Sequence, residues 1–320
     1  MSRFILAKNK SLGINNKKSL SIKQRKFLKN WPLHLMLLPG IIVVVIYQYG
    51  PMAGLLMAFQ DYIPTKGLLG SEWIGLENFE YIFNLPDIWQ VVWNTFFIAI
   101  MKIIAGLVAP IVTALLLNEV GKQFFKRTVQ TFIYLPHFLS WVILGGILID
   151  ILSPGEGIVN RILTAIGVEP IYFLGSNNWF PYTMVISDTW KEFGYSTIVY
   201  LAALTSINPN LYEAAAIDGA GHWKMTWHIT LPGMRMIIVL LATLSIGNIL
   251  NAGFEQILIL YSPQVYQSGD IIDTVVYRMG LLDAQYSIST AVGLLKSVVS
   301  LVLISVSYWV AYRFANYRIF

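Results

Sequence analysis

The sequence predicts an all-α, polytopic membrane domain, and three observations predict it. Of the 320 residues, 56% are hydrophobic and only 12% are charged, against about 25% charged in an ordinary soluble domain. The apolar residues gather into six runs, each long enough to cross a bilayer at about 20 residues per crossing. Lys and Arg crowd into alternate stretches between those runs, which is how a chain sets its orientation in a membrane. Length alone would suggest two soluble domains. The apolar content overrides that expectation, because one soluble core could not hide so much apolar surface.

The first 30 residues carry Arg3, Lys8, Lys10, Lys17, Lys18, Lys23, Arg25, Lys26 and Lys29 and no acid. They read as a basic, disordered tail on the cytoplasmic side, followed by a transmembrane domain over 31–320. The apolar run from Leu33 to Phe59 exceeds the roughly 7–15 residues of a signal-peptide core, so it reads as a retained first span. Pro39 and Pro51 predict a kink in it. Five further spans are expected near Val91–Asn118, Val129–Leu152, Pro181–Leu204, Met236–Leu260 and Ile288–Phe314.

The tail, 119–128, 205–235 and the C-terminal end hold 16 basic residues: the nine above with Lys122, Lys126, Arg127, Lys224, Arg235, Arg313 and Arg318. Stretches 60–90, 153–180 and 261–287 hold three, Lys66, Arg161 and Arg278. That asymmetry predicts both termini in the cytoplasm. Trp73, Trp89 and Trp179 lie in or beside the outer stretches, where an indole is stable at headgroup level.

Several chemistries are excluded. There is no cysteine, hence no disulfide, zinc–thiolate site or cysteine nucleophile. No Gly-x-x-x-x-Gly-Lys-Ser/Thr loop occurs, so the chain does not hydrolyse ATP itself. Gly194-Tyr195-Ser196 is followed two residues later by Ile198, which is not a nucleophile elbow. His34, His137, His222 and His228 lack metal-ligand spacing and read as ordinary interfacial or loop residues. The net charge of +5 sits between spans rather than on a soluble face, so no nucleic-acid partner is expected.

The inner stretch Thr205–Arg235 is long for a loop and only mildly polar. Asn208 suits an N-cap and Pro209 the first helical position. Ala214, Ala215 and Ala216 favour helix, and Gly219 is placed to end it in a left-handed conformation. A short helix outside the bilayer follows, with a small alanine face that lets another protein approach closely.

Glu213, Ala214 and Ala215, then three residues, Gly219, then nine, Ile229, any residue, Leu231 and Pro232 reproduce in full the signature of permeases of bacterial ATP-binding-cassette importers. Pro209, Leu211, Tyr212, Ile217, Asp218 and Ala220 are similar to the MalF-like, sugar-importing branch. Trp31–Tyr62 and Arg127–Ile147, with Tyr134-Leu135-Pro136-His137-Phe138, resemble LplB-type permeases of polysaccharide and oligosaccharide importers.

The resemblance covers roughly 30–315 and implies a six-span permease. Its partners would be a second related permease, two ATPase subunits and an extracytoplasmic solute-binding lipoprotein that delivers an oligosaccharide. ATP and magnesium would be cofactors of the partner ATPase, with none in this chain. It further implies that the short helix is a coupling helix seated on the ATPase, with Glu213, Ala214, Ala215, Asp218, Gly219, Ile229, Leu231 and Pro232 as the coupling residues.

Six charged residues fall well inside the expected spans, away from their ends: Lys102, Asp188, Lys191, Glu192, Glu255 and Lys296. Each costs roughly 2.5–3.5 kcal/mol at mid-bilayer, so each should face protein or water. Asp188 and Glu192 share a helix face, and Lys191 neighbours Asp188 three residues on. With Trp190, Phe193 and Tyr195 alongside, Asp188, Lys191 and Glu192 suit a sugar, which offers hydroxyls at its edge and C–H bonds on its face. Lys102 and Lys296 join them as candidates for the path. The rival reading is structural ion pairing. The three lysines hint at an acidic cargo unless the acids neutralise them.

An ion-driven secondary transporter would predict inverted repeats, and none is visible. A membrane-embedded transferase would predict clustered acids or histidines near an interface, and these are missing. An importer permease for another solute fits the spacing but not the sugar-type flanks.

Overall fold

The computed structural model describes residues 22–315, and these are overwhelmingly helical. The chain divides into two units, one through Gly54 and one from Leu55 onward. The expected basic tail lies outside the described residues up to residue 21, but helix α1 (Ile22–Val44) already includes Lys23, Arg25, Lys26 and Lys29. The helix runs through Pro32 and Pro39 without ending. The irregularity falls later, where a π-turn (Val45–Tyr49) gives way at Gly50 to a tighter 3₁₀ helix (Gly50–Phe59). Pro51, which has no N–H to donate, stands at that change.

In the second unit, two short strands, β1 (Gln60–Asp61) and β2 (Glu72–Trp73), pair antiparallel around α2 (Gly67–Gly70). Trp73 stacks on Phe59 at 5.6 Å. Helix α3 (Glu77–Phe83) sets Asn78 in the core, where its Nδ2 donates to the Ala58 and Gln60 carbonyls at 3.0 and 3.1 Å. Helix α4 (Ile88–Glu119) is an uninterrupted 32-residue helix despite Pro110, about 48 Å long at 1.5 Å per residue.

The expected span over Val129–Leu152 is not one straight helix. Helix α5 (Gln123–Tyr134) passes through a 3₁₀ turn (Leu135–Phe138) and the extended residue Leu139, and the chain re-enters helix as α6 (Trp141–Leu152). The two limbs meet at 105°. Pro136 disfavours helix in the residue before it. Ser140 then caps α6 by accepting from the Ile143 amide at 3.4 Å. Helix α7 (Ile158–Ala165) follows, its buried Asn160 stapling the loop to the Ser153 and Ile171 carbonyls.

Helix α8 (Phe180–Thr205) matches its expected span within a residue at each end. It lies along α4. Ile98, Ala99, Phe180 and Met184 are buried with Ile257 and Leu260 in one core cluster, and Ala114, Tyr200, Leu204 and Met234 form another. α5 crosses α8 so closely at Gly194 that a Cβ there would collide with the Ile133 carbonyl. Gly194→Ala is therefore expected to cost at least about 1–3 kcal/mol, as overpacking does, read as lost thermal stability of the purified chain. Ile133→Ala should not restore it, because the clash is with backbone.

The inner stretch forms α9 (Pro209–Ile217), α10 (His222–Met225) and a π-turn (Thr226–Thr230) that leads directly into α11 (Leu231–Gly247). The expected span Met236–Leu260 breaks in its middle. α11 stops at Gly247, residues 248–253 are non-helical, and α12 (Phe254–Leu260) resumes. Gly253 carries φ +95, a conformation that glycine adopts freely. Asn248 offers the backbone a competing local hydrogen bond, its Nδ2 donating to the Leu244 carbonyl at 3.2 Å. Beyond α12 come α13 (Tyr266–Gly269), α14 (Ile272–Tyr277), a π-turn (Arg278–Leu282) and the last long helix α15 (Tyr286–Ala315).

By length and composition, four helical stretches can cross a membrane: Asn30–Phe59, Ile88–Glu119, His222–Gly247 and Tyr286–Val310. The bent pair Gln123–Phe138 with Trp141–Leu152 makes a fifth. α8 is long enough for a sixth, at about 39 Å, but carries Asp188, Lys191 and Glu192 in its middle. The large apolar side chains of α4, α11 and α15 that stay exposed, among them Leu116, Met236 and Leu301, are those a bilayer would cover.

Candidate functional site

Helix packing draws the charged residues of the spans into three ion pairs. Lys102 of α4 reaches across to α8, its Nζ 3.4 Å from Asp188 Oδ1, with only 8% of its side chain exposed. The same Nζ donates to Gln256 Oε1 of α12. Gln256 is itself oriented by donating its Nε2 to the Met184 carbonyl and Ser187 Oγ of α8, at 2.9 and 2.8 Å. Gly253 closes this nest, since a Cβ there would strike the Lys102 ammonium.

Lys191 turns the other way and does not pair with Asp188. Its Nζ lies 2.8 Å from Glu192 Oε1, donates to the His137 carbonyl at 3.0 Å and sits 5.7 Å from the centre of the Trp141 ring. Glu192 Oε2 in turn lies 2.7 Å from His137 Nδ1, and the imidazole stacks flat on Tyr195 with centroids 4.0 Å apart. The third pair joins Lys296 of α15 to Asp273 of α14 at 2.5 Å, and Lys296 also donates to Asn251 Oδ1 at 2.9 Å.

These groups border two cavities. One, of 390 Å³, is lined by Lys102, Asp188, Glu192, Ser196, Asn248 and Asn251. The other, of 550 Å³, is lined by Asn251, Asp273, Tyr277, Tyr286, Ser289 and Lys296. Asn251 faces both, so the non-helical stretch of the fifth span forms the partition between them. Non-helical backbone at membrane depth is stable only where it is buried in protein or lines a wet cavity, and this stretch does the latter. Of the expected path residues, Lys102, Asp188 and Glu192 thus meet in one cavity and Lys296 borders the second. Lys191 and Tyr195 are engaged with His137. Trp190 and Glu255 are exposed elsewhere on α8 and α12.

Asn248, Asn251, Gln256 and Asp273 escape sequence reasoning, as does the part played by His137. Two asparagines and a glycine within six residues of an apolar run are the signal that could have found the first two.

The inner stretch after α8 takes the local form expected from its sequence. Asn208 Oδ1 caps α9 by accepting from the Asn210 amide at 3.0 Å, with Pro209 at the first position. Gly219 has φ +75, and the Ala220 amide bonds back to the Ala215 carbonyl at 2.9 Å, which is how a left-handed residue closes a helix. Glu213, Ala214, Asp218 and Gly219 are exposed, while Ala215 and Ile229 are half-buried. Leu231 and Pro232 form the first turn of α11.

Residues 106–316, which include the coupling segment and the partitioned span, match the family of binding-protein-dependent transport system inner membrane components. The chain belongs to this family. As an inner membrane component it is a membrane-embedded transport subunit and not an enzyme. It is 42% identical over 288 residues to protein LplB of Bacillus subtilis (strain 168), covering 90% of this chain and 91% of that one. It is also 42% identical to the polygalacturonan/rhamnogalacturonan transport system permease YteP of the same organism, over 92% of each chain. Among solved structures, it resembles a chain of a bacterial ABC transporter involved in the import of the acidic polysaccharide alginate, at 40% identity and TM-score 0.84, covering 91% of this chain and 98% of that one. A second structure of a bacterial alginate transporter, in complex with alginate pentasaccharide-bound periplasmic protein, matches at 40% identity and TM-score 0.83, over 90% of this chain and 96% of that one.

Proposed function

We propose that this inner membrane component is the permease of an ATP-driven importer that carries an oligosaccharide, derived from a polysaccharide, into the cytoplasm by alternating access. The observation that carries the reading is the partitioned fifth span. Its Asn251 stands between the Lys102–Asp188 and Lys296–Asp273 pairs at the wall of both cavities, and Asn248 lines the first of them. Amides and paired charges supply donors and acceptors together, which is what a ring of hydroxyls needs.

Because every lysine in the spans has an acid beside it, the cavity walls carry no surplus positive charge. The pairing supports recognition through hydroxyls ahead of cargo carboxylates. The path residues are Lys102, Asp188, Glu192 and Lys296 with Asn248 and Asn251; Lys191 and Tyr195 belong to the neighbouring His137 cluster, and Trp190 is exposed elsewhere on α8.

The chain works in a complex with a second related permease, two ATPases that bind ATP and magnesium, and an extracytoplasmic solute-binding lipoprotein. Six spans, with α8 and the bent pair each counted once, put both termini on one side of the membrane, and the crowding of Lys and Arg in the inner stretches supports the cytoplasmic side. Glu213, Ala214, Ala215, Asp218, Gly219, Ile229, Leu231 and Pro232 form the ATPase-coupling element. Two packed arrangements of the spans, one favoured by ATP and the other by its absence, provide the switch.

Purification of the tagged chain from mild detergent tests this. A second permease and an ATPase are expected in the eluate, with ATP hydrolysis rising when oligosaccharide-loaded binding protein is added. Recovery of the chain alone, with uptake driven by an ion gradient in vesicles, would overturn the reading.

A further inference from the structure

The segment between α8 and α11 is a closed loop with a neck. On the entry side, Ile207 packs against the first turn of α11 at Gly233, where a Cβ would come within 2.8 Å of its Cδ1. On the exit side, Tyr212 Oη of α9 lies 3.0 Å from Thr230 Oγ1, the last residue of the π-turn before α11. Thr230 is 5% exposed. Its Oγ1 also contacts the Met225 carbonyl at 3.4 Å. A carbonyl can only accept, so the threonine proton goes to Met225 and the phenol proton of Tyr212 goes to Thr230. The result is a directed relay, Tyr212 to Thr230 to Met225, that ties α9 to the base of α11.

The soft part of the exit connection is residues 218–221, with Gly219 in the left-handed region and Gly221 before α10, after which the chain runs as one helical stretch from His222 through the π-turn into α11. The other link from this segment to the spans, His222 Nδ1 to Glu119 Oε2 at 3.2 Å, joins side chains 88% and 57% exposed and holds little against solvent screening.

We propose that Tyr212 is a positioning residue for energy coupling: its hydrogen bond to Thr230 makes α9 and α11 move as one body, so that a displacement imposed on α9 reaches the partitioned span instead of being absorbed in the turn at residues 218–221. The inference rests on the reading of α9 as the ATPase-coupling element. Glu213, one residue on, is exposed and serves docking, whereas Tyr212 is half-buried and serves transmission.

The chain has no cysteine, so a spin-label pair at Asn210→Cys on α9 and Leu244→Cys on α11 reports on this link. It is placed in the assembled complex, with cysteine-free partners, with and without ATP trapped by vanadate. The native chain is expected to show one narrow distance, the same in both states. Tyr212→Phe should add a second, displaced population, raised about fivefold by the loss of one hydrogen bond, and Thr230→Val should reproduce it. Thr230→Ser, which keeps the hydroxyl, should restore the single distance.

ATPase recovery with Tyr212→Phe should equal that of the native chain. A single unchanged distance in Tyr212→Phe overturns the relay. So does loss of the ATPase from that variant, which would make Tyr212 a docking residue. Absence of any ATPase from the native complex removes the coupling role itself, and this inference with it.

Discussion

Asp188→Ala is expected to lower the stability of the folded chain by about 3 kcal/mol, because it strands the Lys102 ammonium in a site that is 8% exposed. Breaking one side of a buried ion pair costs roughly 3–5 kcal/mol. The lower end applies here because Gln256 Oε1 still accepts from Lys102. The measurement is the thermal transition of the detergent-purified chain, alone and in its complex.

The double variant Lys102→Met with Asp188→Leu should recover most of the loss, since it removes both charges and leaves apolar volume between α4 and α8. Transport by the double variant should stay low, because the cavity then loses two polar groups from its wall. Equal stability of the single and double variants would sink the pairing argument. Full transport by the double variant would remove Lys102 and Asp188 from the path.

The second large effect is expected at the coupling element. Glu213→Ala should reduce ATPase recovered with the chain by roughly thirtyfold, the equivalent of the 2 kcal/mol that marks an interface hot spot, while the spans keep their thermal transition. Gly219→Asp should act in the same direction by a different cause. No heavy atom stands near the added Cβ, but φ +75 suits glycine better than any residue with a side chain, and the carboxylate adds negative charge beside Asp218 at the C-terminal end of α9, where the helix dipole is already negative. Normal ATPase recovery together with normal transport in both variants would show that the partner docks elsewhere.

Helix α9 was legible from the sequence almost residue by residue because its signals are local. A capping asparagine, a proline at the first position and a glycine at the left-handed end each act within one turn. The long apolar runs were legible too, since membrane thickness alone sets their length. What was hidden depends on packing between distant segments. Lys102 lies 86 positions from Asp188, and no periodicity links them; only the alignment of α4 with α8 does. The neighbour that helical spacing suggested for Asp188, Lys191, is drawn instead to His137 and Glu192.

Asp273 was placed outside the spans, because it is the fold of α14 against α15 that brings it to Lys296. The bend between α5 and α6 follows from Pro136, yet proline alone does not tell a kink from a 105° turn. The π-turn that builds the neck under Thr230 has no sequence signature.

The break at residues 248–253 also divides one span between two mechanical neighbourhoods. Its first half, α11, is clasped to α15, where Ser307 Oγ donates to the Thr243 carbonyl at 3.2 Å and Ile304 covers Gly247. Its second half, α12, is clamped to α8 through Gln256 and nests its Ile259 against Gly145 of α6. A helix continuous through this region would have to bend or slide whole for either clasp to shift. Here the six intervening residues keep only single-turn backbone bonds, so torsion there lets one half swivel while the other stays still without breaking a continuous helical ladder. The asparagines that line the cavities sit on that swivel, so a rotation there would turn the cavity walls themselves.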